Sequence, residues 1–353
     1  MTRYEMAQIV AKAMAKGANV DKLAAEFADE LDTLGVRVAN LEKKADNVKI
    51  TGEIRYKYMS KDGDANIDDD GNYKSFENDL RTRIWINGQV NDDWSYTGMI
   101  ENEQDFGNDN GDEDTKFQRA YVEGKLGGIN VTAGRYNAFF ANGNIYDARV
   151  DGAEISYGDK VKVTGFAGKG TDSEEFSYGN YAGGELSASF DALNVAAGYV
   201  NFKDMGADKY VSDTNIDNAI WYLGADYTFD DTVTLSAMYL KGDLSYDDHD
   251  IDVLDDDGYV IGLSYKGAEA DTPHSWGIFA NYYDQGGQTY IAHTTDANVF
   301  DGAGFKGYGI GANYTFAKNI VGTVVYYDTE RKYNFGGSDL DDQRIWADLT
   351  FTF

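Results

Sequence analysis

The final segment, Ile345-Trp346-Ala347-Asp348-Leu349-Thr350-Phe351-Thr352-Phe353, constrains the fold more than any other. Side chains alternate across an extended strand, so Ile345, Ala347, Leu349, Phe351 and Phe353 share one face, and Trp346, Asp348, Thr350 and Thr352 share the other. In a sheet surrounded by water, such a strand is an open edge with an apolar face, primed to pair with another chain. A closed barrel in a membrane removes both problems. The last strand pairs with the first, and the apolar face meets lipid.

Composition agrees with a barrel. The 353 residues include 40 Gly, 27 Tyr and 18 Phe, with one Pro and no Cys. Closely packed strands use Gly, interfacial girdles use Tyr, and a sheet has little room for Pro. No apolar run approaches the ~18 residues of a membrane-spanning helix. The mean hydropathy of −0.52 suits a barrel, because half of each strand faces water. Met1 opens directly into a polar helix rather than a signal peptide, so an exported form requires a leader outside this numbering. A net charge of −30 argues against nucleic acid and anionic lipid surfaces as partners.

From Val48 to Phe353 the hydrophobic period is two. It predicts sixteen strands, near 48–60, 77–90, 94–104, 116–126, 129–137, 147–157, 160–169, 182–190, 193–202, 218–229, 232–242, 258–266, 275–284, 304–316, 320–331 and 342–353. Tight connections such as Asn91-Asp92-Asp93, Gly127-Gly128, Asp230-Asp231 and Lys318-Asn319 alternate with long acidic ones at 61–75, 243–257 and 285–303. Short turns on one rim and long loops on the other are expected of an outer-membrane barrel, and an even strand count puts both ends of the sheet on the short-turn, periplasmic rim.

Most strands sort cleanly. Ile50, Ile54, Tyr56 and Tyr58 are expected toward lipid, with Glu53, Arg55 and Lys57 toward the lumen; Leu80, Ile84, Ile86 and Val90 alternate with Arg81, Arg83, Asn87 and Gln89. The sixth strand breaks the pattern, because continuing outward from Val150 would expose Glu154 and Ser156 to lipid. No catalytic constellation emerges: His249, His274 and His293 fall in loops or at a strand start, and the expectation is a non-enzyme without cofactors. Basic residues at inward positions form the informative set. Arg55, Lys57, Arg81, Arg83, Arg119, Arg135, Arg149, Lys162 and Arg344, together with Asp147 and Asp151, are the expected lining and constriction of a wet channel, since sixteen strands enclose more space than side chains fill. No loop is long enough to be an obvious plug.

The first 47 residues read as helix. Thr2 with Glu5 forms a capping box, and Met6, Ile9, Val10 and Met14 make one apolar face. Beyond residue 17, Val20, Ala24, Phe27, Leu31, Leu34, Val38, Leu41 and Ala45 recur at 4-3-4-3 spacing, the seam of a coiled coil of roughly 40 Å. A single amphipathic helix packed on its own domain is the alternative. Three segments follow: 1–17, a coiled-coil stalk at 18–47, and an all-β transmembrane barrel at 48–353.

The loop Asn66-Ile67-Asp68-Asp69-Asp70-Gly71, with Glu77 further on, reproduces several EF-hand ligand positions through Asn66, Asp68, Asp70 and Glu77. A solvated acidic loop reads the same residues equally simply, and no metal is expected.

Several of these segments resemble known families. The aromatic-terminated strand resembles the C-terminal signal of bacterial outer-membrane barrels. Phe117-Gln118-Arg119-Ala120-Tyr121-Val122-Glu123-Gly124-Lys125-Leu126-Gly127-Gly128, with Val131 to Tyr136, is similar to general diffusion porins. That resemblance implies a basic wall containing Arg119, Arg135 and Arg149, faced by a constricting loop at 137–147. Thr2-Arg3-Tyr4-Glu5-Met6-Ala7 looks like the last helix of a surface-layer homology (SLH) domain, which implies Thr2, Arg3 and Glu5 as cell-wall contacts. SLH helix, coiled coil and porin in that order resemble the OmpM-type tethers of diderm Firmicutes. The resemblance implies a homotrimeric porin in the outer membrane, among its lipids and lipopolysaccharide. Its periplasmic stalk would link it to peptidoglycan through a complete SLH domain, while the barrel passes small hydrophilic solutes and ions. The alternative is a structural tether whose barrel is plugged.

Overall fold

The computed structural model describes residues 2–15, 23, 26–27, 29–31, 47–66, 75–106, 114–171, 179–206, 216–246, 249–250, 254–333, 337 and 339–353. Its strands are β1 (Val48–Asp62), β2 (Ser75–Gln89), β3 (Trp94–Asp105), β4 (Lys116–Leu126), β5 (Ile129–Phe140), β6 (Tyr146–Tyr157), β7 (Val161–Gly170), β8 (Asn180–Phe190), β9 (Leu193–Lys203), β10 (Ile216–Phe229), β11 (Val233–Lys241), β12 (Leu244–Tyr246), β13 (His249–Asp250), β14 (Asp257–Lys266), β15 (Trp276–Gln285), β16 (Phe305–Ala317), β17 (Ile320–Arg331) and β18 (Asp341–Thr352). Consecutive wall strands pair antiparallel, and β1 pairs with both β2 and β18, which closes the sheet. β11 pairs directly with β14, and the short β12 and β13 form a hairpin that extends the rim, with β12 paired to the upper end of β10. Among the described residues the wall therefore has sixteen strands, the number that the period-two pattern predicts.

The tight turns are built from residues that tolerate a left-handed backbone. Gly127, Gly158, Asp191, Asp230, Asp231 and Asn319 all have positive φ. The lipid-facing rows are as expected: Ile50, Tyr56, Tyr58, Trp221, Leu223, Ile345 and Phe351 are exposed outward, whereas Met59 and Trp346 on the alternate positions are buried inward. Phe190, Tyr227, Phe229, Tyr314, Phe316, Phe351 and Phe353 form an exposed aromatic band at the short-turn rim.

The sixth strand resolves in the opposite phase from the one expected. Ile155 and Tyr157 are exposed outward, so Val150, Gly152, Glu154 and Ser156 face the lumen. The strand pairs with both neighbours without a register shift, and Val150 belongs to its inward set.

Helix α1 (Arg3–Ala15) begins with the expected capping box: the Glu5 amide donates to Thr2 Oγ1 at 3.2 Å, and the Thr2 amide donates to Glu5 Oε2 at 2.7 Å. Its apolar face differs from the expected one. Ala7 and Val10 are buried, Met6 packs beside them, and Ile9 points to solvent. The side chain of Met14 lies outside the described residues. Of the eight expected coiled-coil positions, only Phe27 and Leu31 are described, and both pack on the Ala7–Val10 patch. The first partner of that seam is the chain's own α1. Val20, Ala24, Leu34, Val38, Leu41 and Ala45 lie outside the described residues.

Candidate functional site

The barrel is narrowed by two segments that leave the wall and enter the lumen. The first is the tip of the β5–β6 hairpin. Register between β4 and β5 stops at Ala120 opposite Arg135, and register between β6 and β7 stops at Val150 opposite Gly170, while β5 and β6 stay paired up to Phe140 and Tyr146. The bend starts at Gly134 (φ +128), where a Cβ would lie 2.5 Å from the Ala120 carbonyl oxygen. One face of this hairpin is apolar and packs on the inner wall: Phe140 stacks on Phe166 at 4.3 Å, and Tyr146 meets Phe202 at 5.5 Å. Each such buried side chain stabilises the docked hairpin by roughly 1.5–3 kcal/mol. The opposite face carries Asn137, Phe139, Asp147 and Arg149, with Phe139 54 % exposed inside the barrel. The segment expected from the sequence to constrict the barrel, 137–147, is the tip of this hairpin.

The second segment is residues 286–304, between β15 and β16, a loop whose sequence did not mark it as an obvious plug. Ala292 forms a parallel bridge to Tyr146, and the Asp147 amide donates to the Ala292 carbonyl at 2.7 Å. The Thr294 hydroxyl donates to Asp147 Oδ2 at 2.6 Å. The segment then runs along the neighbouring wall of β17, β18 and β1, where Ala297 is buried with Met59, Val325, Tyr327 and Trp346, and Arg344 Nη1 donates to the Asp296 carbonyl at 3.1 Å. Its anchor is His293, enclosed edge-on by Tyr283, Tyr290 and Phe305. The Thr295 amide donates to His293 Nδ1 at 3.0 Å, and Nε2 lies 2.9 Å from Gln285 Oε1. An acceptor role for Nδ1 leaves the proton on Nε2. Burial pushes this imidazole down to about 3 and raises the Asp296 carboxyl above the ordinary range.

Facing these segments is a charged wall on β1 to β4 and β18. Arg81 donates to Glu53 at 2.9 Å, Arg83 to Glu101 at 2.5 Å, and Lys57 pairs with Asp79 at 2.7 Å. Arg55 lies 4.0 Å from Glu103 and 5.9 Å from the Trp346 ring. A bulge in β4 turns both Gln118 and Arg119 toward the lumen, and Arg119 lies within electrostatic reach of Arg83, Glu101 and Asp147. From the hairpin side, Arg149 donates through Nε to Thr171 Oγ1 at 2.9 Å and through Nη1 to Gln118 Oε1. Arg344 joins Asp342 at 2.7 Å near the mouth, and Lys162 faces the lumen beside Glu154.

Two expected lining residues are elsewhere. Arg135 stands opposite Ala120 on the outer face, and Asp151 shares its face with the outward Ile155 and Tyr157. They hold each other through two bonds of 2.7 Å on the outside of the barrel. Conversely, Asp296 and His293 were missed, since the sequence around them reads as ordinary loop. The three SLH-like residues are all engaged within the chain: Thr2 and Glu5 cap each other, and Arg3 binds Glu30 at 2.6 Å. In the acidic loop, Asp68 and Asp70 lie outside the described residues. Asn66 donates to Asp342 at 2.7 Å, and Glu77 pairs with Lys61 and Lys57, so two of the four candidate metal ligands have other partners.

No family model matches the chain, and no curated protein matches its sequence. Solved structures do. A loop-deletion form of OmpT, an outer membrane protein of Vibrio cholerae, superposes with a TM-score of 0.56 at 17 % identity, covering 87 % of this chain and 100 % of that one. OmpT folded in vitro, described as a trimer form, gives 0.55 at 17 % identity over 87 % of this chain and 99 % of that one. A mutant of the Rhodopseudomonas blastica porin gives 0.53 at 16 % identity, covering 87 % and 100 %. The chain has the closed barrel fold of outer-membrane porins.

Proposed function

We propose that this chain is an outer-membrane porin, a non-enzymatic channel for passive diffusion of small hydrophilic solutes and ions. One observation carries the reading: the charged wall opposite the inward segments keeps contact with water inside the barrel, with the Glu103 side chain 44 % and the Arg83 side chain 22 % exposed. A filled lumen would bury them. Arg55, Arg81, Arg83, Arg119, Arg149, Lys162 and Arg344 line the aqueous side, while Asp147 and Asp296 supply opposing charge at the narrowest section. A planar-bilayer recording of the purified protein tests this; stepwise conductance is the expected result, and silent bilayers at high protein loading overturn it.

The second reading, a tether with a plugged barrel, draws support from the way residues 286–304 bridge the β5–β6 hairpin tip and the β17–β18–β1 wall. Under either reading the order of parts supports a link to peptidoglycan through an SLH domain and a coiled-coil stalk at 18–47. A homotrimer is supported by the outward Arg135–Asp151 pair. Arg facing acyl chains at mid-depth costs about 2–4 kcal/mol, and a neighbouring barrel covering the β4–β7 wall removes that cost.

A further inference from the structure

The wall across the lumen from the arginines has a different chemistry. Asp226, Ser236, Gly262, Asn281 and Gly309 lie opposite one another in register on β10, β11, β14, β15 and β16, all facing inward. Gly262 makes a dent in this row, whereas the ring of Tyr327 covers Gly309. A Cβ at Gly262 would sit 2.3 Å from Ser236 Oγ and 2.7 Å from Asn281 Oδ1, so these two polar atoms converge over the bare backbone. Asn142, in a left-handed conformation at the hairpin tip, and Thr294 of the second inward segment roof the dent, and Tyr283 and Met238 form its sides. The half-open space is about 200 Å³, room for several waters or a small solute.

We infer that this pocket is a subsite for a small neutral polyhydroxylated solute, a sugar or sugar alcohol, beside the conducting path. This rests on the porin reading of the lumen. The lining matches hydroxyls because hydroxyls donate and accept at once. Asn142 and Asn281 offer amide groups, Ser236 offers a hydroxyl and Asp226 is a strong acceptor, while the Tyr283 hydroxyl, engaged by Asn281 and Thr295, holds the Asn281 amide in place. No basic side chain lines the pocket, so an anion gains nothing there, and the amide N–H groups disfavour a bare cation. Among the described residues the Asp226 carboxylate has no ion-pair or hydrogen-bond partner, which leaves both its oxygens for a ligand. The pocket also meets the moving solute at a useful place, because its roof is made by the same two segments that narrow the channel.

Mannitol is the probe, and saturation-transfer NMR on the full chain in detergent is the readout, independent of any current. Saturable transfer to mannitol is expected. Asn281→Ala should weaken it about tenfold, and Gly262→Ala should weaken it by pushing Ser236 Oγ and Asn281 Oδ1 out of place. Asp226→Asn, which keeps the shape and an acceptor oxygen, should stay within about threefold. Folding of each variant is checked by heat-modifiable migration on gels. Non-saturable transfer, or transfer indifferent to Asn281→Ala and Gly262→Ala in folded protein, overturns the inference. So does loss of binding in Asp226→Asn with competition by potassium, which assigns the site to a cation. A conducting channel without saturable mannitol transfer removes the subsite alone, whereas absence of ion current removes the porin reading and leaves the NMR result to decide the pocket.

Discussion

Gly52 and Phe353 close the barrel as a reciprocal pair: the Gly52 amide donates to the Phe353 carbonyl at 2.8 Å, and the Phe353 amide donates to the Gly52 carbonyl at 2.9 Å. The aromatic ring lies over the glycine so closely that a Cβ there would be 2.2 Å from its nearest carbon. Seam and girdle thus meet at one contact, where the last residue of the sheet is paired by its backbone and seated by its ring.

Gly52→Val should therefore loosen the seam. Overpacking of this kind costs about 1–3 kcal/mol, and displacement of the ring would also strain the two backbone bonds. Heat-modifiable migration on gels reads the outcome, with the variant converting to the unfolded band at a lower temperature than the parent. An unchanged conversion temperature would mean that the ring has room to move aside, and that the backbone bonds alone hold the seam.

The barrel was legible in the sequence wherever period two ran without interruption, as in β1, β2, β10 and β18, because lipid on one side and water on the other force strict alternation. It was less legible where a strand does two jobs. In β5 and β6 the lower halves belong to the wall and the upper halves to a hairpin in the lumen, so Arg135 and Arg149, on strands that pair with each other, end up outside and inside respectively. The bulge at Gln118 shifts phase within β4 for the same reason. Residues 286–304 gave no signal at all. Their partners, Ile145, Gly143 and Asp147, are distant in sequence and bind largely through backbone groups, which every residue type carries. At the N-terminus the seam spacing was read as a contact between chains, yet Phe27 and Leu31 meet α1, since an apolar stripe does not specify its partner.

His293 makes docking of the second inward segment sensitive to acid. Its imidazole titrates at about 3 when docked and near 6.5 when released, so the released state binds more protons between these values. Docking keeps its full strength above about pH 6.5 and weakens as pH falls toward 3, by roughly 2–3 kcal/mol at pH 4.5. Asp296 acts in the opposite direction: its raised carboxyl favours docking at low pH and loses that contribution as pH rises through its docked value. Single-channel records should become noisier below pH 5, and His293→Gln should suppress the change while retaining both hydrogen bonds. Equal acid noise in the variant would shift the cause to other groups.

Arg135 and Asp151 offer a double-mutant cycle on the outer wall. Either Arg135→Leu or Asp151→Leu alone breaks the pair beside Lys169, which stands in register with Asp151 on β7, and should lower the temperature at which trimers dissociate in mild detergent. Both together leave neither member of the pair unmatched and should recover part of the loss, through a coupling of about 1–3 kcal/mol. Additive effects would show that the two side chains do not act as a pair, and would take away the support they lend to this wall as the contact between copies.

Ion selectivity sets two parts of the molecule against each other. The −30 net charge is concentrated in loops, including eight Asp between Asp243 and Asp257, which enrich cations at the mouth. The narrow section instead holds Arg81, Arg83, Arg119 and Arg149, only partly offset by Glu53, Glu101 and Asp147. Mouth charges act over a Debye length of about 10 Å at 0.1 M salt and about 3 Å at 1 M. Charges at the constriction lie within a few ångströms of every passing ion, so salt weakens them less. The channel should prefer cations weakly in dilute salt, and that preference should fade or reverse in concentrated salt. Arg119→Gln with Arg149→Gln removes two positive charges from opposite sides of the gap and should push the reversal potential further toward cations at every salt concentration. Since Arg149 also bonds Gln118 and Thr171, the single Arg119→Gln variant separates charge from hairpin position, and it should produce about half the shift. A reversal potential unmoved by the double change would remove both arginines from the ion path.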